Sequence, residues 1–192
     1  MKIRTNYVSN SSSSSFIIIY NSLADFEKLK PFGKGYHRLL KDLKSASLDD
    51  LRDEIFSVLD DYLREAVWKR RRWLRPTADN EWLEDHYDRT VNWPAEELLS
   101  ALGRANARKI NDKFDRINAA YKAGVIPENL EDEVTSDLSS IVDDMIAEVQ
   151  AKRHIAALEY ADDVDGYMEH EFMPFAAMAP RTKFKIVRIS KH

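Results

Sequence analysis

The chain has 192 residues, 44% hydrophobic and 32% charged, with a formal net charge of -4. That is enough apolar material for the core of one domain, or of one domain carrying a large insertion, and it excludes global disorder. A mildly acidic chain binds nucleic acid only through a local patch, and the absence of cysteine removes disulfides, thiolate chemistry and cysteine-ligated zinc or iron–sulfur centres.

Along the first residues Ile3, Thr5 and Tyr7 alternate with Lys2, Arg4 and Asn6, a weak strand pattern. Phe16-Ile-Ile-Ile-Tyr20 is a stronger one. It is β-branched and aromatic, and apolar at consecutive positions, so a central strand covered on both faces is expected. It is too short for a signal-peptide core or a membrane span, which points to a soluble cytoplasmic protein. Between the two strands lie Ser9-Asn10 and the serine run Ser11 to Ser15. Their hydroxyls bond local backbone and favour turns, so the run is expected to be a surface loop held between strands.

The beginning Met1-Lys-Ile-Arg4, an aromatic at Tyr7, and Val8-Ser-Asn-Ser-Ser-Ser-Ser-Ser-Phe16 resembles that of many uncharacterised proteins of bacteriophages and bacteria. Some of these are similar too in an Asp-rich turn and a Glu-His pair ahead of a short last strand. Here those are Asp162 to Gly166, Glu169-His170 and Phe184 to Ser190. The resemblance covers the two ends and not the middle. It implies a phage or mobile-element setting, hence the host cytoplasm, and carries no activity with it.

Ser22 to Pro31 reads as a short helix with Ser22 as its cap. Pro31-Phe-Gly33-Lys-Gly35 then breaks the chain and lacks the glycines and Lys-Ser/Thr ending of a phosphate loop. Tyr36, Leu39, Leu40 and Leu43 mark a second short helix. Ser47 with Asp50 resembles a capping box and opens a long helix to about Leu74, roughly 40 Å at 1.5 Å per residue. Its apolar stripe is Leu51, Ile55, Val58, Tyr62 and Ala66, broadened by Leu59, Leu63 and Val67. Pro76 stops it, and Glu81 to Arg89 reads as a helical connector. Trp93-Pro94 opens a second long helix with Leu98, Leu102, Ala105, Ile110, Phe114, Ile117 and Tyr121 inward, closed by Gly124 and Pro127. A third is expected from Glu128 to about Ala157, acids first and Lys152, Arg153 and His154 near its end, in accord with the helix dipole. Leu158 to Val164 and Tyr167 to Met173 then flank Asp165-Gly166, a two-residue hairpin signal, and Phe184 to Ser190 alternates as a last strand. The expected fold is α+β and mainly helical, a single domain over 1–192. A small antiparallel sheet comes from about 1–20 and 158–192, and a bundle of three long helices is inserted over about 22–157.

The hairpin concentrates ionisable side chains. An EF-hand fails there: with Gly166 at loop position six, Ala161 falls at one and Phe172 at twelve, where the chelating Glu belongs. Tyr160-Ala-Asp-Asp163 matches the tetrapeptide of reverse-transcriptase active sites, but no other polymerase motif accompanies it. In a paired hairpin Asp162 lies opposite Glu169, and opposed carboxylates need a cation, a proton or open water. This admits a metal site for Mg or Mn built from Asp162, Asp163, Asp165 and Glu169, with Asp162, Asp163, Glu169 and His170 as catalytic groups. A solvated acidic turn is the plainer reading. No Gly-x-Ser-x-Gly elbow supports a serine nucleophile.

The other candidate is basic. Trp68, Lys69, Arg70, Arg71, Arg72, Trp73 and Arg75 combine phosphate-neutralising bases with stacking aromatics. Arg104, Arg108, Lys109, Lys113 and Arg116 run down the next long helix and would extend the patch if the helices are adjacent. Helix-dipole compensation and pairing with the acids of the third helix are the competing roles for these bases. The balance favours a non-enzymatic, phage-related interaction protein. It would bind nucleic acid or a host protein through its helical insertion, with no cofactor and no membrane contact. The alternative is a divalent-metal-dependent hydrolase or nuclease using the acidic hairpin.

Overall fold

A computed structural model describes residues 13–26, 34–74, 93–123, 135–161 and 183–189. Strand β1 (Ser13–Tyr20) is followed by one tight helical turn at 23–26, then by helices α1 (Lys34–Ser45), α2 (Leu48–Leu74), α3 (Trp93–Leu102), α4 (Arg104–Lys122) and α5 (Leu138–Gln150). Strands β2 (His154–Ala161) and β3 (Phe184–Arg188) close the order. The protein is α+β and mostly helical. No described helix is long and apolar enough to cross a membrane.

The sheet has the order β2-β1-β3, with both neighbours antiparallel to β1. Its central strand is the early apolar segment, as its two-faced composition requires. Ile17 and Ile19 join Leu51, Ile55, Leu59 and Leu63 of α2 and the apolar faces of α3, α4 and α5. Phe16, Ile18 and Tyr20 point the other way, into a smaller cluster with Phe26 and Tyr36, Leu39 and Leu43 of α1. Phe16, Ile17, Ile18 and Ile19 are all at or below 2% exposure. At about 1.5 to 3 kcal/mol for each fully buried large side chain, this one strand contributes on the order of 10 kcal/mol of burial.

Helix α2 begins where its cap was expected. Ser47 Oγ accepts the amide N–H groups of Asp49 at 3.1 Å and Asp50 at 3.4 Å, satisfying two otherwise orphaned donors. Its buried line is Leu51, Ile55, Leu59 and Leu63, with Val58 and Tyr62 half-buried beside it.

Four sequence expectations are corrected. The helix opened by Trp93 breaks at Gly103, which adopts φ +104°, and restarts at Arg104. On the buried side Asn106 and Lys113 stand between Leu102 and Ile117, whereas Ala105, expected inward, is exposed. The helix expected to reach Ala157 ends at Gln150, and His154 to Ala157 are already strand. The sheet therefore begins before residue 158. Ser13 to Ser15 belong to β1 and not to a loop. The strand expected at Ile3 to Tyr7, the connector at Glu81 to Arg89 and the second hairpin strand at Tyr167 to Met173 lie outside the described residues.

The break at Gly103 is stitched on both sides. Lys185 Nζ of β3 donates to the carbonyls of Ala101 at 3.1 Å and Ser100 at 3.4 Å, placing a cation on the negative end of α3. Asn106 Nδ2 donates to the Leu102 carbonyl at 3.1 Å across the break. A methyl group at Gly103 would meet nothing within 4 Å, so its backbone angle and not its size is what a substitution tests. Gly103→Ala is expected to cost about 1 to 2 kcal/mol, the penalty for a left-handed L-residue, read as a lower urea midpoint with an unchanged slope.

Candidate functional site

Charge pairs fix the direction in which the helices run. Arg52 of α2 donates to Asp143 of α5 at 2.5 Å, Lys109 of α4 to Glu148 at 3.3 Å, and Lys113 and Arg116 to Asp137. As the α4 partner moves from 109 to 116, the α5 partner moves back from 148 to 137, so α4 and α5 are antiparallel. Leu48 and Leu51 share a cleft with Gln150 at the far end of α5, so α2 is antiparallel to α5 as well. It follows that α2 and α4 run parallel.

This sorts the basic residues. Lys113 is 2% exposed and, with Arg116, closes on the Asp137 carboxylate, which precedes α5 with φ 27° and caps no backbone N–H of its own helix. Lys109 is likewise engaged, so the middle of α4 spends its bases on α5. Arg104 and Arg108 are exposed and make no ion pair among the described residues. They stand level with the amino end of α2, whereas Trp68 to Leu74 form its carboxyl end, roughly 24 Å along the helix from Arg52 to Trp68. The two sets do not adjoin. The backbone is helical through Trp68, Lys69, Arg70, Arg71, Arg72 and Trp73; Arg75 lies outside the described residues.

The serine end of β1 is the polar counterpart. Ser14 is 0% and Ser15 4% exposed, each buried on an opposite face of the sheet. Ser15 Oγ donates to Glu54 Oε1 of α2 at 3.0 Å, and its backbone partner across the sheet is Glu159. Ser14 Oγ accepts from Arg188 Nη2, and that guanidinium lies 5.9 Å from the centre of the Phe16 ring. Beside them Tyr160 donates its hydroxyl to Asp42 Oδ2 at 3.1 Å, and Arg38 sits over the same ring at 5.8 Å. The small serine side chains let one carboxylate and one guanidinium reach the central strand from opposite sides. Ser15 is too enclosed to act as a nucleophile, and its hydroxyl serves to satisfy Glu54.

Sequence reasoning missed Glu54 and the burial of Ser14 and Ser15. The signal was available only as an acid on the apolar side of the α2 pattern. Ser13 pairs with Ala161, the last described residue of β2. Asp162, Asp163, Asp165, Glu169 and His170 lie outside the described residues. Among the described residues no group of three His, Asp or Glu side chains is placed to hold a metal ion.

At the opposite end of the sheet a cleft of about 270 Å³ opens between α1, α2, the end of α5 and the start of β2. Comparison of the chain with protein-family models, with curated proteins and with solved structures finds no match in any of the three.

Two titrations are set by these contacts. Burial raises the Glu54 carboxyl above its ordinary 4.5; the Ser15 hydrogen bond opposes this, and Glu159, Asp50 and Asp53 add to it. The folded state therefore binds this proton more tightly than the unfolded chain. Its contribution is full below pH 4.5 and is lost as pH rises through the folded value. Glu54→Gln is expected to keep or raise stability at neutral pH and to remove that downward slope, measured by urea denaturation across pH 4 to 8. Asp137 behaves oppositely. Burial would raise it, but hydrogen bonds and charge from Lys113 and Arg116 prevail and hold it below 3.8. Its contribution is present above pH 3.8 and is lost as pH falls through the folded value. Asp137→Asn removes the carboxylate that Lys113 and Arg116 share and is expected to cost about 2 kcal/mol. That is less than the 3 to 5 kcal/mol of a fully buried pair, because Asp137 is 42% exposed.

Proposed function

We propose that the protein is a non-enzymatic interaction protein that binds nucleic acid through the basic carboxyl end of α2. The observation that carries this reading is the prior engagement of three carboxylates, two on α5 and one just before it. Asp143 is held by Arg52, Glu148 by Lys109, and Asp137 by Lys113 and Arg116. Among the described residues these three carboxylates, which the sequence offered as partners for the basic run Lys69 to Arg72, serve other cations. Helical backbone through Leu74 supports the reading further, because it keeps the four consecutive basic residues within about one turn of a single rod. Such a surface suits a phosphate backbone, with Trp68 and Trp73 available to stack on unpaired bases. Arg104 and Arg108 form a separate, smaller basic point on the same reading. The resemblance of the two chain ends to bacteriophage proteins would imply an infected cell as the setting, where a host protein with an acidic surface is the other partner class.

The test is a salt series. Fluorescence anisotropy with a labelled single-stranded oligonucleotide is expected to show binding at low salt whose logarithm falls linearly with the logarithm of salt concentration. Replacing Arg70, Arg71 and Arg72 together with alanine is expected to weaken binding and to lower the slope by about 0.7 for each phosphate that is no longer neutralised. Absence of binding by the parent protein at 20 mM salt overturns the nucleic-acid reading and leaves the acidic protein partner.

A further inference from the structure

The cleft at the other end of the sheet brings a cation and an exposed aromatic ring, Arg153 and His154, to the edge of the core. Its floor is apolar, formed by Leu51, Ile155 and Ala156, and its wall carries Arg153 and His154. Among the described residues no aspartate or glutamate lines it. The His154 imidazole is exposed and stacks on the buried Tyr20 ring, with centroids 5.1 Å apart and planes inclined by 23°. Tyr20 and His154 are register partners in the β1–β2 ladder, so the sheet sets their side chains opposite one another. It leaves a flat aromatic platform at the mouth of the cleft.

Arg153 is positioned just as firmly. Its Nε donates to Asn21 Oδ1 at 2.8 Å and its Nη2 to the Lys183 carbonyl at 3.0 Å. Both acceptors are neutral, and among the described residues no carboxylate pairs with this guanidinium. Its fork is thus oriented while its charge is left uncompensated. Lys183 is already paired with Asp25 at 2.5 Å. Asp49 and Asp50 in the first turn of α2 are exposed, with Asp49 bonded to Arg52 at 3.3 Å. The Asp49 and Asp50 N–H groups at the amino end of α2 are capped by Ser47 and are not the phosphate donors of the site. At the rim stands Leu48, 49% exposed and the one large exposed hydrophobic among the described residues.

We infer that this cleft binds a nucleotide carrying a terminal phosphate, with the phosphate on Arg153 and the base on the His154–Tyr20 platform against Leu48. A guanidinium with an oriented fork matches phosphate oxygens, and an exposed ring supported from behind is a stacking surface for any base. The volume limits the occupant. About 270 Å³ lies just under the range of pockets for drug-sized ligands, roughly 300 to 1,000 Å³, and accommodates one base with its phosphate and not a longer strand. The ligand is either a free mononucleotide or the phosphorylated end of an oligonucleotide. The cleft is independent of the basic run of α2, which lies at the other end of that helix.

Isothermal titration of the intact protein with AMP, adenosine and inorganic phosphate tests it. AMP is expected to bind at least tenfold more tightly than either fragment. His154→Ala, at an exposed position, is expected to weaken AMP and adenosine alike by fivefold or more. Arg153→Gln is expected to weaken AMP tenfold while leaving adenosine unchanged. No AMP binding at millimolar concentration, phosphate binding as tight as AMP, or an AMP affinity untouched by His154→Ala each overturns the inference. Competition between AMP and a 5′-phosphorylated oligonucleotide supports the site with a strand end as ligand, and its absence supports it with a free nucleotide. The Arg70, Arg71 and Arg72 triple alanine variant is expected to keep its AMP affinity. Loss of strand binding with AMP binding intact therefore refutes only the proposed function, and the reverse result refutes only this inference.

Discussion

Everything in the structure depends on one strand that has no solvent face. Residues 16 to 20 bury successive side chains to opposite sides, and both strand edges are hydrogen-bonded. Burial on the order of 10 kcal/mol from five side chains equals the whole net stability of an ordinary domain. The two apolar clusters are therefore not independent. The one formed with α2 to α5 and the one formed with α1 meet through the sheet, with β1 at its centre, and each holds in place the backbone from which the other is built.

That arrangement explains where polar groups occur. Ser14 and Ser15 extend the same strand past its apolar part, and the alternation of the pleat gives them different partners, a guanidinium on one side and a carboxylate on the other. At the other end, the Tyr20–His154 pair closes the ladder and turns an aromatic surface outward. Both ends of the sheet are thus chemically distinct, while its middle is apolar throughout. The helices add a charge pattern of their own. Antiparallel packing of α4 on α5 consumes bases and acids together, leaving Arg104 and Arg108 outside those pairs among the described residues.

Much of the fold was legible in the sequence, for reasons that can be named. Phe16 to Tyr20 is β-branched and apolar at consecutive positions, which only a covered central strand accommodates. Ser47 followed by the Leu51, Ile55, Leu59 series specifies both the start and the buried side of α2. The failures are equally physical. His154 to Leu158 reads His-Ile-Ala-Ala-Leu, apolar without alternation and rich in alanine, because both faces of β2 are buried; nothing local separates it from the end of a helix. The break at Gly103 falls inside an unbroken leucine pattern, and its support comes from Lys185, far along the chain. Burial of Ser14 and Ser15 depends on Glu54 and Arg188, and the engagement of Lys109, Lys113 and Arg116 in internal pairs depends on which way α4 runs against α5. Neither can be known before the helices are placed. The basic run of α2 was visible as composition alone, and the nucleotide-sized cleft drew on Arg153 and His154, which as a helix end would have had only a dipole to offset.

The position of β1 has a further consequence, in time. It emerges first from the ribosome, yet its nearest partner, His154, follows Tyr20 by 134 positions. At about 5 to 20 residues per second the strand waits roughly 7 to 27 s before either edge can be closed. Throughout that interval a five-residue segment of high β-propensity is available to pair with copies of itself on neighbouring chains. The serines directly ahead of it dilute its hydrophobicity during synthesis, and two of them are then buried with charged partners once the sheet is complete.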